Sequence, residues 1–445
     1  MKTVLLIDDD QALRQAMALW FHQAGWEVLE ADNGVKGLEM AAANHPQLVL
    51  CDLLMPRCNG FEFCRRLRAE KEPLSRTAII VTSGSSYSTD RQNALEAGAN
   101  DYLLKPVNFK VLSAMLEHLL GAPPPAPVPA EVPPPVSIGP ARVKFWGVRG
   151  SVPTPGADTL FYGGNTACVE VRTGGAILIL DAGTGIRRLG LALRQEFKDQ
   201  PLRLNLLISH THWDHIQGFP FFMPAYDPKN SLFIYGFEGA RQPLRNTLTS
   251  QMESSYFPVS LQQMPGNISI HELKELSFLI DGVPVQAHFL NHPGICSGYR
   301  IQTSAGAVSY LSDVELFARL RSEMDKDESS NTMVFASRRF ADAQDRRLLD
   351  FVRESEVLIF DAQYDVDEYK SHVGWGHTCM EDSVTFAIEA KVKRLFLFHH
   401  DPEHDDERIT RMVNRAREIV AQNHSALIVE AAREGLEVVL EPVAQ

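Results

Sequence analysis

Residues 121–140 read GAPPPAPVPAEVPPPVSIGP, and nine of these twenty are proline. Proline fixes φ and lacks a backbone N–H, so such a run is excluded from helix and sheet interiors. It prefers the extended polyproline II conformation. At about 3.1 Å per residue it reaches roughly 60 Å. The 445-residue chain is also too long for one ordinary core. The segment therefore divides it into two bodies, residues 1–120 and residues 141–445, each with its own core. No repeat is evident on either side. Coupling through so long a spacer is inefficient, so any communication between the bodies is expected through docking or dimerisation.

Hydrophobic residues make up 44% and charged residues 22% of the chain, an ordinary globular balance. No window approaches 18 uninterrupted apolar residues, so no membrane span is expected. The opening MKTVLLIDDD lacks the long apolar region and small-residue cleavage site of a signal peptide. It reads as a strand, and the protein as cytoplasmic. Cys51, Cys58, Cys64, Cys168, Cys296 and Cys379 form no CxxC pair, and they are expected to be reduced core residues. Residues 1–120 hold 12 Lys and Arg against 15 Asp and Glu, so of the net charge of −13 the first body carries −3 and the remainder −10. A general nucleic-acid binder needs a basic surface to displace counterions, so large nucleic acids are disfavoured as partners.

In the first body, short β-rich runs (Val4–Ile7, Leu48–Cys51, Ala78–Val81) alternate with amphipathic stretches such as Leu13–Ala24 and Gly34–Ala43. This is an α/β pattern with a parallel sheet. Ligand sites in such sheets lie at the carboxyl ends of the strands. Asp8 and Asp9 follow the first strand, Asp52 the third, Thr82 the fourth and Lys105 the fifth. Three carboxylates at one edge repel unless a cation sits among them, and Mg²⁺ suits a few carboxylates plus waters. A carboxylate beside that metal can attack a phosphoryl donor, and a lysine and a hydroxyl can bind the phosphoryl oxygens. Asp10 reads equally as a helix cap.

The acidic run after strand one, DLLMPRCNGFE, VTSGS and DYLLKP resemble the response-regulator receiver family across about 120 residues. The resemblance implies a flavodoxin-like, five-stranded parallel fold and a cognate histidine kinase. It makes Asp52 the phosphoacceptor, and Asp8, Asp9 and Asp52 the Mg²⁺ pocket. Thr82, Tyr102 and Lys105 become switch residues, and Pro106 the proline after the lysine.

In the second body, the β-rich Leu204–Ile208 leads into HTHWDH, which supplies His210, His212, Asp214 and His215. Side chains at i and i+2 of an extended segment point the same way, so His210 and His212 can share one metal. Asp214 and His215 begin the following turn and face a second position. Imidazole and carboxylate suit Zn²⁺, with Mn²⁺ or Fe²⁺ as alternatives. Further candidates lie after strand-like runs: His292 in NHPGICSGYR, Asp313 in SYLSDVE, and His399 or His400 in LFHHDP.

Order and context resemble the metallo-β-lactamase superfamily over essentially all of residues 141–445. That implies an αββα sandwich with two metals. By the resemblance His210, His212 and His292 hold one metal and Asp214, His215 and His399 the other, with Asp313 between them. Asp181 in LDAGTG and His400 then become supporting residues. HPGICSGYR, GWGHT and LFHHDP are similar to the tRNA 3′-endonuclease and cyclic-nucleotide phosphodiesterase branch, which implies that His377 protonates a leaving oxygen. Asp214 and His377 are the catalytic candidates. Asn165, in GGNTACVEV, is a substrate candidate, as is Arg300, which reads equally as structural. The chain departs from the endonuclease pattern in having Thr378 and Cys379 beside His377 and in lacking a basic arm. A small phosphodiester is thus the expected substrate, with a thioester or lactone hydrolase as the alternative. A signalling scaffold that only binds a ligand is a third reading, and a homodimer is a further option. Residues 219–265 are dense in aromatics, with Phe222, Tyr226, Tyr256 and Phe257 as stacking candidates; the alternative is an insertion packed on the core.

Overall fold

The computed structural model describes residues 2–84, 88–105, 107, 109–119, 140–198, 200–239, 242–324 and 331–442. Pro106 and residues 121–139 of the expected linker lie outside these.

The first body is a five-stranded parallel sheet of β1 (Thr3–Ile7), β2 (Glu27–Ala31), β3 (Leu48–Asp52), β4 (Ala78–Ser83) and β5 (Asp101–Leu104), in the order β2-β1-β3-β4-β5. The central strands β1, β3 and β4 are largely continuous buried apolar runs, as expected where helices cover both faces. Leu5, Ile7, Val49 and Cys51 share a cluster with Phe61, Phe63 and Leu67, while Val4, Leu6, Leu48 and Leu50 pack on Met17, Phe21 and Leu112. Asp10 caps the helix Gln11–Gln23, accepting from Ala12 and Leu13 amides.

The second body has two seven-stranded sheets. One contains β6 (Ala141–Gly147), β7 (Cys168–Thr173), β8 (Ala176–Leu180), β9 (Arg203–Leu207), β10 (Ser231–Gly236) and β11 (Asn267–Glu272). The other runs in chain order through β12 (Ser277–Ile280), β13 (Val283–Phe289), β14 (Ser297–Thr303), β15 (Gly306–Leu311), β16 (Val357–Asp361), β17 (Arg394–Phe398) and β18 (Ile428–Ala431), while β19 (Glu437–Leu440) returns beside β6. Alternate residues of one strand serve different layers, as period-two geometry requires. Leu178 and Leu180 join Phe145, Tyr299, Tyr310 and Phe398 between the sheets. Ile177 and Ile179 face Ile186, Leu189 and Leu193 of the outer helix Ile186–Phe197. Leu358, Phe360, Leu395 and Leu397 pack outward on the helices Met380–Glu389 and Asp406–Gln422. The result is the αββα sandwich.

The two bodies touch. One apolar cluster runs through both and includes Leu53, Met55 and Cys58 from the first and Phe237 and Tyr299 from the second, with Leu54, Leu276 and Phe289 packed against it. Among the described residues, no helix is long and apolar enough to cross a membrane.

Candidate metal centre and phosphoacceptor cleft

The carboxyl ends of β8, β9, β13, β15, β16 and β17 deliver Asp181, His210, His292, Asp313, Asp361 and His399. Ligand atoms of His210, His212 and His292 lie within 4.8 Å of one another, and so do those of Asp214, His215, Asp313 and His399. Asp313 lies between the groups: its carboxylate is 3.2 Å from His215 and His399 Nε2, and 3.8 and 3.9 Å from His210 and His292 Nε2.

The imidazoles are oriented by hydrogen bonds on their far sides. His215 Nδ1 donates to Asp181 Oδ2 (2.8 Å), His292 Nδ1 to the Gly376 carbonyl (2.9 Å) and His399 Nδ1 to Gln363 Oε1 (3.0 Å). Ser209 Oγ donates to Asp181 (2.7 Å) and accepts from His210 Nδ1 (3.1 Å). Each of these four rings is left with the Nε2 lone pair facing inward, the arrangement that second-sphere partners impose on metal ligands. His212 presents Nδ1 instead, 3.1 Å from His292 Nε2, while His215 and His399 Nε2 are 3.4 Å apart. Each pair is close enough to share a proton or to bind one metal ion between its nitrogens. His210 Nε2 is buried and has no hydrogen-bond partner. Burial holds His210 and His292 well below the usual histidine range, hence neutral, and His212, more open to solvent, is lowered in the same direction. Despite burial, the carboxylates of Asp313, Asp214 and Asp181 raise His215 well above the usual histidine range. His215, protonated at Nε2 until a metal ion takes that proton's place, in turn holds Asp214 and Asp313 well below the carboxylate range. Neutral imidazoles with ionised carboxylates fit divalent metal ions.

His377 lies against this cluster, its ring centroid 4.9 Å from that of His399 and 5.2 Å from that of His292. Its Nδ1 donates to Asp361 Oδ2 (2.7 Å), which keeps Nε2 directed away from that pair. Asp181 and His399 both have φ of 61°, a left-handed conformation that non-glycine residues adopt at a cost of order 1–3 kcal/mol. Gly150 allows the fit around His399, because a Cβ there would lie 2.3 Å from the ring.

Two expectations are corrected, for His400 and Asn165, and for Arg300 the structural alternative holds. His400 turns away from the ligands: its Nε2 donates to the Ala432 carbonyl (2.9 Å) and its ring meets Tyr162. Asn165 gives its side-chain amide to Glu434 at 3.0 Å, so it is spent on a structural pair rather than on a substrate. Arg300 donates to the Phe351 and Arg353 carbonyls (both 3.1 Å) and to Ser355 (2.8 Å), capping the end of the helix Asn331–Val352. Among the stacking candidates, Phe222 is fully buried in the outer core, with Tyr226 and Phe257 packed on it, and only Tyr256 is exposed. Asp361, Ser209, Gln363 and Tyr310, whose hydroxyl donates to Asp181 (2.8 Å), escaped the sequence reading. Asp361 carries the same signal as Asp181, an acid closing an apolar run.

In the first body, Asp8, Asp9 and Asp52 bring carboxylate oxygens within 4.8 Å of one another. Lys105 Nζ bridges Asp8 (2.8 Å) and Asp52 (2.5 Å). Burial, opposed by Lys105 and reinforced by Asp8 and Asp9, raises the Asp52 carboxyl above its ordinary value. Thr82 stands opposite Asp52 on the neighbouring strand, and its buried hydroxyl has no hydrogen-bond partner. These features fit a divalent cation and an anionic group on Asp52. Tyr102 is buried on β5.

Residues 4–117 match the family model of the response regulator receiver domain, and residues 177–400 that of the beta-lactamase superfamily domain. The response regulator MprA of Mycobacterium sp. (strain KMS) is 37% identical over 117 residues, which is 26% of this chain and 50% of that protein. The chain thus spans about half the length of the curated relatives it matches. Among solved structures, the metallo-beta-lactamase fold protein YhfI from Bacillus subtilis is similar at a TM-score of 0.47 and 16% identity, covering 67% of this chain and 99% of that one. The short form of human tRNase Z gives 0.43 and 19%, covering 68% and 100%. Divalent metals are general to both domain families. The chain carries a response regulator receiver domain joined to a metallo-β-lactamase-fold domain, and it belongs to the beta-lactamase superfamily.

Proposed function

We propose that residues 141–445 hydrolyse a small phosphodiester at a two-metal site and that phosphorylation of Asp52, in a receiver of residues 1–120, controls them. The segment 121–140 is the linker of this reading. His210, His212 and His292 would hold one metal, Asp214, His215 and His399 the other, and Asp313 both, with zinc the first choice and manganese or iron the alternatives. Two such ions supply Lewis-acid charge and lower the pKa of water. The protein's own residues do the rest. Asp181, Ser209 and Gln363 orient the ligand imidazoles, and Asp214 contributes a fixed negative charge.

The observation that carries the choice of substrate is the His377–Asp361 pair. Despite burial, the Asp361 carboxylate raises the His377 imidazole, so that it can deliver a proton from Nε2 to a departing oxygen. An alkoxide needs that proton, whereas the thiolate of a thioester leaves without it, so the pair argues against a thioester; a lactone also releases an alkoxide and is separated from a phosphodiester by the substrate panel. Trp213 and Trp375 are 76% and 60% exposed and flank ligand or acid residues in sequence. They offer faces on which a nucleobase can stack. The charge of −10 outside residues 1–120 disfavours long nucleic acids.

In the receiver, an Asp52 oxygen would bond to phosphorus as the P–N bond of a phosphohistidine breaks, the electron pair leaving with the donor imidazole. Mg²⁺ at Asp8, Asp9 and Asp52 would screen the charge. The partners are then a histidine kinase and a small substrate, in the cytoplasm. The test is a panel of cyclic nucleotides, dinucleotides, thioesters and lactones with zinc or manganese. Absent phosphodiester turnover, or turnover that survives Asp214→Ala with His215→Ala, would sink the proposal.

A further inference from the structure

The cleft around Asp52 is not closed by its own domain. It measures about 140 Å³, with Asp8, Asp9, Asp52 and Lys105 on one wall and Asn291, Glu315 and Arg347 among the residues of the other. Several contacts fix this apposition. Arg57 pairs with Glu275 (2.6 Å), Lys274 with Glu62 (3.0 Å) and Arg65 with Glu238. The Gly294 amide donates to Asp90 (2.8 Å), so a receiver helix holds the turn just after His292. Arg347, on the helix Asn331–Val352, reaches across to pair with Asp10, and its charge also bears on Asp9.

We propose that Arg347 completes the receiver's anion site, so that a phosphoryl group on Asp52 is bound by Lys105 and Thr82 from one domain and by Arg347 from the other. This rests on reading Asp52 as the phosphoacceptor and the metal domain as the output. A phosphoryl group brings about −1.5 to −2 charge and three acceptor oxygens. A guanidinium fork matches two of those oxygens, and the group would draw Arg347 from Asp10. The buried Thr82 hydroxyl, without a partner, is a second group that such an anion would satisfy.

The wall that carries Arg347 borders the metal ligands. Asn291 precedes His292, and Glu315 follows Asp313 by two residues. The two segments are stapled together, Asn291 Nδ2 donating to the Glu315 carbonyl (2.8 Å) and the Glu315 amide to the Asn291 carbonyl (2.9 Å). The buried Glu315 carboxylate accepts from the Gly374 and Gly376 amides (2.8 and 3.0 Å) and so holds the loop that leads to His377. Asn291 and Glu315 line the cleft beside Arg347 and adjoin the ligand-bearing segments, so one layer of residues separates the cleft from the catalytic centre.

The test uses the full chain with Mg²⁺ and beryllofluoride as the phosphoryl mimic. Affinity is read by fluorine NMR, and turnover is read on bis(4-nitrophenyl) phosphate. Arg347→Ala should weaken beryllofluoride binding about tenfold, the loss expected for one charge-assisted contact, and should abolish the turnover response at saturation. Arg347→Lys should fall between. Asp10→Asn keeps the helix cap but releases Arg347, and should tighten binding several-fold more in the wild-type background than in Arg347→Ala; an equal gain in both backgrounds would overturn the inference. Affinities of both Arg347 variants within twofold of wild type would overturn the inference. Wild type that binds no beryllofluoride would instead overturn the receiver reading itself, before any Arg347 variant is made.

Discussion

The chain holds two carboxylate-bearing clusters that differ in how their charge is managed. At the metal centre four ligand imidazoles have a dedicated acceptor on the far side, and Asp181 alone receives Ser209, His215 and Tyr310. In the receiver, Asp8 and Asp52 share one lysine, and the Thr82 hydroxyl is left without a hydrogen-bond partner. The first cluster is preorganised by its surroundings, which is what a resident metal needs. In the second, Lys105 bridges two carboxylates and the Thr82 hydroxyl has no hydrogen-bond partner, which suits a ligand that comes and goes. The difference teaches that carboxylate count alone does not distinguish a permanent site from an exchanging one; the partners behind the carboxylates do.

The sharpest way to break this comparison is to remove the acid without touching a ligand. His377→Ala should lower kcat on the phosphodiester by about 10²–10⁴-fold while elemental analysis still finds two metal ions per chain. Asp361→Asn should cost about 10–100-fold in kcat with little change in KM, because it only positions the imidazole. Loss of metal in either variant would move these residues into the ligand set. Next comes the preorganisation itself. Asp181→Asn should weaken metal binding by about 10–100-fold, measured by chelator competition, since it disturbs Ser209 and His215 together. An unchanged affinity would mean that the ligands alone fix the site.

The proposed ligands were legible because HTHWDH concentrates four of them directly after one apolar run, and Asp313 and His292 each come after another. A polar residue at the end of an apolar run is visible in sequence, whereas the group that packs behind a ring is not. Ser209 is adjacent to His210 and looks like any loop serine; only the fold brings Asp181 to it and Tyr310 to Asp181. His399 and His400 could not be separated by periodicity because the chain turns left-handed at His399, which breaks the alternation. Arg300 could not be assigned between structural and substrate roles because the helix end it caps lies more than fifty residues away in sequence. The parallel sheet and the sandwich layers were legible from apolar periodicity. The apposition of the domains was not, since it depends on paired surface charges such as Arg57 and Glu275 that have no sequence signal.

Two smaller effects sharpen the receiver side. Thr82→Ala should leave Mg²⁺ binding to the carboxylates intact and weaken beryllofluoride several-fold, because it removes one neutral hydrogen bond. The last concerns Asp345, on the wall facing the receiver cleft. It accepts the Phe317 and Ala318 amides at 2.9 and 2.8 Å, capping the helix Phe317–Met324. Burial nevertheless raises its carboxyl from 3.8 to about 6. A folded-state value above the unfolded one means that the native state binds the proton more tightly. Its contribution is therefore full below pH 4 and is lost as pH rises through 6. The change is of order 1 kcal/mol once screening at this half-buried site is allowed for. Hydrogen exchange, corrected for intrinsic rates, should show this helix better protected at pH 5 than at pH 8. Asp345→Asn should flatten that difference; a pH dependence that survives the substitution would assign it to another group on the wall.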